Sequence, residues 1–149
     1  MTIRSKLPTV ARVLMGVPFL VFGLNGFLHF LPTPPMPAAA GAFVGALAAS
    51  GYLFPVLKIV EVTSALLLLS GRFVPLALTL LAPVLVNIVA FHAALAPAGL
   101  AIPLVLLAAE IYLAWVHRDA FAPLLRAKSE AKRTHASSVS PDLAHPSAA

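Results

Sequence analysis

The chain has no cysteine, and charged residues make up only 10 % of its 149 positions. The first absence excludes disulfides, thiolate catalysis, iron–sulfur clusters and zinc–cysteine sites within this chain. There is also no glycine-rich phosphate loop, serine triad or carboxylate pair at catalytic spacing. Gly16, Gly23, Gly26, Gly41 and Gly45 read as helix-packing residues rather than as a nucleotide fingerprint. The scarcity of charge accompanies a hydrophobic content of 60 %. A soluble core of this length could not hide so much apolar surface, whereas a bilayer can. The net charge of +5 sits in loops and tails, so nucleic acid is not an expected partner.

What is present is a series of long apolar runs. The stretch Tyr52–Ser70, YLFPVLKIVEVTSALLLLS, is about 19 residues, or roughly 28 Å of helix, enough to cross the hydrocarbon of a membrane. Lys58 and Glu61 lie well inside its ends, at i and i+3, on one face where they can pair. Charges at that depth must be turned toward protein or a water-filled cavity. Three further runs flank it, giving expected spans over 9–31, 52–70, 73–95 and 100–117. The first run is too long for a signal-peptide core and is interrupted by Asn25 and His29. Pro18 and Pro83 should bend the first and third spans. The carbonyl that Pro83 frees needs a neighbouring helix or a hydroxyl such as that of Thr79.

Between spans one and two, LPTPPMP cannot be helical, and Ala38–Ser50 is apolar but too short to span. Phe43, Val44 and Leu47 fall on one helical face there, which fits a short interfacial or re-entrant helix over one mouth of the bundle; an ordered loop is the alternative. The expected fold is therefore an all-α membrane protein. It is an up-down bundle of four transmembrane helices over 1–128, followed by a disordered tail over 129–149. The Arg126–Arg133 cluster of that tail is suited to anionic membrane lipid. Arg4, Lys6, Arg12, Arg72 and the cations from Arg118 onward all fall at one end of such a bundle, and the other two connections carry none. The positive-inside rule makes that end cytoplasmic, with both termini inside and the chain in the cytoplasmic (inner) membrane.

Depth can then be assigned to the polar residues. Asn25 and His29, Lys58 and Glu61, and Asn87 and His92 all fall in the outer half of the bundle, while Glu110 lies past the midplane of span four, its role open. The first six form a candidate ligand-binding cluster beneath the Pro-rich loop, with Lys58 and Glu61 paired, His29 and His92 exchanging protons, and Asn25 and Asn87 orienting a ligand. Such a cluster can equally lock helices in register without any ligand. His29 and His92 at similar depth could ligate a haem b from opposite faces, but a lone histidine pair is more often hydrogen-bonded, and a simple metal site is weaker still. The cluster is also what a quinone or a small polar ligand would need: lysine or histidine can donate to a quinone carbonyl, and Phe27, Phe30 and Phe91 can contact the ring.

Certain segments resemble the DoxX-like family of small four-span membrane proteins. They are FGLNGFLHFLP (Phe22–Pro32), PPMP (Pro34–Pro37) and SGYLFPVLKIVEVTSALLLLSGRFVPLALTLLAPVLVNIVAFH (Ser50–His92), within a likeness from about Arg12 to His117. The Lys58/Glu61 helix, the Gly71-Arg72-Phe73 turn and the Ala82-Pro83…Asn87 segment are its most specific parts. The resemblance implies association with membrane oxidoreductase subunits and transfers no catalytic residue. It makes the expected role an accessory or quinone-interacting component of a membrane redox or stress-response assembly, with a homo-oligomer also compatible. The rivals are a small-solute or proton-coupled transporter and a non-catalytic scaffold. Because the chain has no cysteine, its orientation is directly testable. A membrane-impermeant thiol reagent should label Ala98→Cys in intact cells, and Ser5→Cys and Ala136→Cys only after lysis. Labelling of all three from one side would overturn the arrangement.

Overall fold

The computed structural model describes residues 3–32 and 35–125, so the tail over 129–149 and the Arg126–Arg133 cluster lie outside the described residues. All regular structure among them is helical: α1 (Ile3–Leu28), α2 (Ala38–Ala49), α3 (Leu53–Ser70), α4 (Val74–Leu95), a 3-10 turn at Pro97–Gly99, α5 (Ala101–Val116) and a short α6 (Arg118–Phe121). α1 packs on α3 and α5, and α4 packs on the same two helices, so the four long helices form a ring in chain order with α1 diagonal to α4. Met15, Phe19, Leu68, Leu81, Leu85 and Leu113 fill its centre.

The helices are apolar outward as well as inward. Val10, Val17, Ile59, Leu66, Val86, Ile102 and Ile111 are all exposed large side chains. A helix apolar all round belongs in a membrane or inside a large protein. Three segments, Lys6–Leu28, Leu53–Ser70 and Val74–Leu95, are long and apolar enough to cross a membrane. α5 has 16 residues, about 24 Å of helix, and falls short of the length expected for a span.

The ends of the helices have local causes. α1 stops three residues before the expected Leu31 because His29 takes a left-handed backbone, φ 51°. The His29 amide still donates to the Asn25 carbonyl at 2.9 Å, and the Asn25 side-chain Oδ1 accepts from the Leu31 amide at 2.7 Å. Asn25 thus closes the end of its own helix. α3 ends on Gly71, whose φ of 70° is the left-handed cap that glycine adopts without strain, and the Arg12 guanidinium occupies the space a Cβ would need. The very short Gly71–Phe73 connection makes α3 and α4 antiparallel neighbours. Ala38–Ala49 is helical, resolving the choice between helix and loop, and α2 lies against α3 and α4 with Phe43 on Phe91, ring centroids 5.6 Å apart. At Pro83 the expectation for Thr79 needs correction. The Thr79 hydroxyl donates one turn earlier, to the Pro75 carbonyl at 2.9 Å, as serine and threonine do in apolar helices, and so does nothing for the carbonyl that Pro83 frees.

The contact between α1 and α3 depends on absent side chains. A Cβ on Gly23 would sit 2.8 Å from Val62 Cγ2 and 3.3 Å from the Val62 backbone nitrogen, and one on Gly26 would sit 2.6 Å from Lys58 Cγ. A Lys58 stem can swing aside, whereas a β-branched side chain and a backbone cannot. Gly23→Ala should therefore destabilise the protein by about 1–3 kcal/mol through overpacking. Gly45→Ala, on the open side of α2 with nothing within 4 Å, should be neutral or stabilising by up to about 1 kcal/mol. Thermal unfolding of both variants in detergent checks the contrast, and equal effects would contradict the close approach at Gly23.

Candidate ligand-binding site

α3 carries the centre of the site. One helical turn separates Lys58 from Glu61, and the ammonium donates to Glu61 Oε2 at 2.8 Å. Glu61 is 3 % exposed and Lys58 14 %, so the pair stands almost entirely inside protein. Phe54, one turn further toward the start of α3, places its ring under the ammonium with the nitrogen 5.3 Å from the centroid. A cation over an aromatic face gains attraction that grows as water is removed. The glycine surface of α1 covers the other side, since the Lys58 stem runs against Gly26 and Glu61 Cβ against Gly23.

The pair opens onto a cavity of about 330 Å³ at the α2 end of the bundle. Phe19 and Phe22 of α1, Phe54 of α3 and Phe91 of α4 wall it, and α2 contributes Phe43, Val44 and Leu47, the three residues whose shared face the sequence exposes. Ile102, Pro103 and Leu106 of α5 complete it. Its polar lining is Lys58, Glu61 and Asn87. A concave apolar space with a few convergent polar groups, at the lower end of the usual ligand-pocket range, is the ordinary form of a small-molecule site.

Of the six candidate residues, the fold brings Lys58, Glu61 and Asn87 to this cavity and leaves three elsewhere. The Asn25 side chain is engaged by the Leu31 amide. His29 is exposed at the left-handed end of α1. His92 donates from Nδ1 to the Ile88 carbonyl at 2.8 Å, since a carbonyl can only accept, and its ring packs edge-on against Phe91 and beside Gly99. Neither histidine lines the cavity, so the geometry gives no pair of axial ligands for a haem there. Among the described residues no three histidine, aspartate or glutamate side chains gather in a way that could hold a metal ion. The aromatic walls also differ from expectation. Phe27 and Phe30 do not line the cavity, and Phe19, Phe22, Phe43 and Phe54 take their place beside Phe91. Phe54 was legible as the i−4 neighbour of Lys58; Phe19 and Phe22 were legible only with the knowledge that α1 turns its Gly23 face toward α3.

No known family model, curated protein or solved structure matches this chain. Its chemistry is therefore read from the site alone. The arrangement can present an ammonium with unused donors to a neutral acceptor lying between aromatic rings. Among the described residues that line the cavity there is no serine, threonine or cysteine and no carboxylate besides Glu61.

Removing one partner of a buried ion pair leaves the other charge uncompensated, at a cost of about 3 kcal/mol or more, while replacing both by apolar groups is often close to neutral. Lys58→Met should accordingly destabilise the protein more than the double variant Lys58→Met/Glu61→Leu does. Denaturation of the single and double variants checks this, and a double variant as unstable as the sum of the singles would mean that the two charges are not coupled.

Proposed function

We propose that this chain is a DoxX-like integral membrane protein whose cavity binds a neutral planar carbonyl compound of the quinone class, serving as an accessory component of a membrane redox or stress-response assembly. In this reading α5 is a fourth, short span and the α2 end of the bundle faces outward. Both termini lie in the cytoplasm, and α2 rests at the membrane surface as a lid. The observation that carries the proposal is the cavity itself: aromatic side chains from four elements line one space with a single lysine whose countercharge is already in place. Because Glu61 neutralises Lys58, the site offers hydrogen-bond donation without net charge, which favours a polar but neutral ligand over an anion. One of the three ammonium donors is committed to Glu61, and the others are free for a carbonyl oxygen. The Asn87 amide at the wall is a second donor for the opposite carbonyl. Phe43 and Phe91, in contact with each other, make a face against which a ring can stack.

The role assigned to this chain is binding and positioning, with electrons reaching the ligand from a partner oxidoreductase subunit. Organic extraction of the purified protein should yield a quinone, and a short-chain ubiquinone or menadione should bind saturably to the protein in nanodiscs. Lys58→Met should weaken that binding about tenfold, the worth of one charge-assisted hydrogen bond, and Phe43→Trp should block it by filling the space beneath α2. Saturable binding unchanged in both variants would remove the proposal.

A further inference from the structure

Away from this cavity, the opposite half of α4 and α5 forms a second recess of about 440 Å³, an open groove with Leu78, Thr79, Ala82 and Val86 on one side and Leu107, Glu110, Ile111 and Ala114 on the other. Phe121 closes its end. The groove is apolar except for Glu110 and Thr79, and both present acceptors. Glu110 is only 6 % exposed, and its Oε1 is buried and meets no donor among the described residues. An unpaired carboxyl oxygen in such surroundings is costly, and native structures rarely leave one without a partner. Thr79 has already spent its hydroxyl proton on the Pro75 carbonyl. Its own carbonyl lacks the usual i+4 amide, because residue 83 is proline. The groove thus has a buried, unpartnered carboxyl oxygen on its α5 wall and, on its α4 wall, a threonine whose hydroxyl proton is already committed.

We infer that the α4–α5 groove binds a primary ammonium carried on an apolar chain, with the ammonium on Glu110 and the Thr79 acceptors and the chain along Val86, Leu107 and Ile111. The ammonium supplies three donors and the charge opposite to a carboxylate, and the apolar walls fit an alkyl body. A hydroxyl would satisfy one acceptor only, and an acid would be repelled. The rim residues Thr79, Ala82, Val86 and Ile111 are exposed, so a ligand can enter sideways from the surrounding lipid. A free lipophilic amine and the ammonium of phosphatidylethanolamine share this chemistry. The site is independent of the quinone cavity, which draws on Asn87, Ile88 and Phe91 of α4 and on Ile102, Pro103 and Leu106 of α5.

A decylamine bearing a photoactivatable diazirine, applied to the protein in phosphatidylcholine nanodiscs, provides the test. Saturable labelling should map to the α4 and α5 segments around Val86, Leu107 and Ile111, and unlabelled decylamine should suppress it. Glu110→Gln should raise the half-saturating concentration about tenfold or more, as expected for loss of a charged hydrogen bond. Val86→Trp, which fills the groove from its exposed rim and leaves the carboxyl in place, should abolish labelling, so the outcome does not depend on how Glu110→Gln folds. Decanol should compete at least about tenfold less well than decylamine. Suppression by added phosphatidylethanolamine identifies lipid as the natural source, and undiminished labelling identifies a free amine. Labelling that does not saturate, that persists in both variants, or that decanol suppresses as well as decylamine does would overturn the assignment.

Discussion

A lysine and a glutamate one turn apart on an apolar helix set the main constraint on this molecule. Removing either charge from water costs several kcal/mol, and their mutual attraction offsets that only at contact distance with the remaining groups well placed. The Nζ–Oε2 separation of 2.8 Å meets the first condition. The second requires that α1 come close enough to cover the pair, and a side chain at Gly23 or Gly26 would hold it off. Phe54 then shields the ammonium from below, and α2 closes the space above by packing Phe43 on Phe91. The close approach of α1 to α3 and the ring of Phe54 beside the ammonium both serve to keep these two charges together and away from water.

Much of this could be read from residue order because it is local. The i, i+3 spacing of Lys58 and Glu61, the Phe43–Val44–Leu47 face and the turn after Ser70 each depend on a few consecutive residues, and each takes the expected form. Helix boundaries on α3, α4 and α5 fall within a residue or so of the expected spans for the same reason. What could not be read is which way each helix is rotated. Asn87 reaches the cavity and His92 does not, and only the rotation of α4 separates them. Asn25 and His29 share a face by spacing, yet that face ends where His29 turns left-handed, and the Asn25 side chain is spent on the main chain. Backbone satisfaction at a helix end outranked the cluster that spacing suggested, because an unpaired amide there costs as much as a ligand contact gains.

The two recesses also differ in how their charge is balanced. α4 and α5 line both, with Asn87, Ile88 and Phe91 of α4 on one and Leu78, Thr79, Ala82 and Val86 on the other. Each recess holds a buried glutamate in a largely apolar wall, but they differ in what answers it. Glu61 has its cation on the same helix, so the space above it is electrically balanced and accommodates a neutral ligand. Glu110 has no such partner among the described residues, and the Thr79 hydroxyl across the groove has already given its proton to the Pro75 carbonyl. Where the countercharge comes from therefore decides what each site can hold: supplied by the chain, it leaves room for polarity alone; left to be supplied from outside, it asks for a cation.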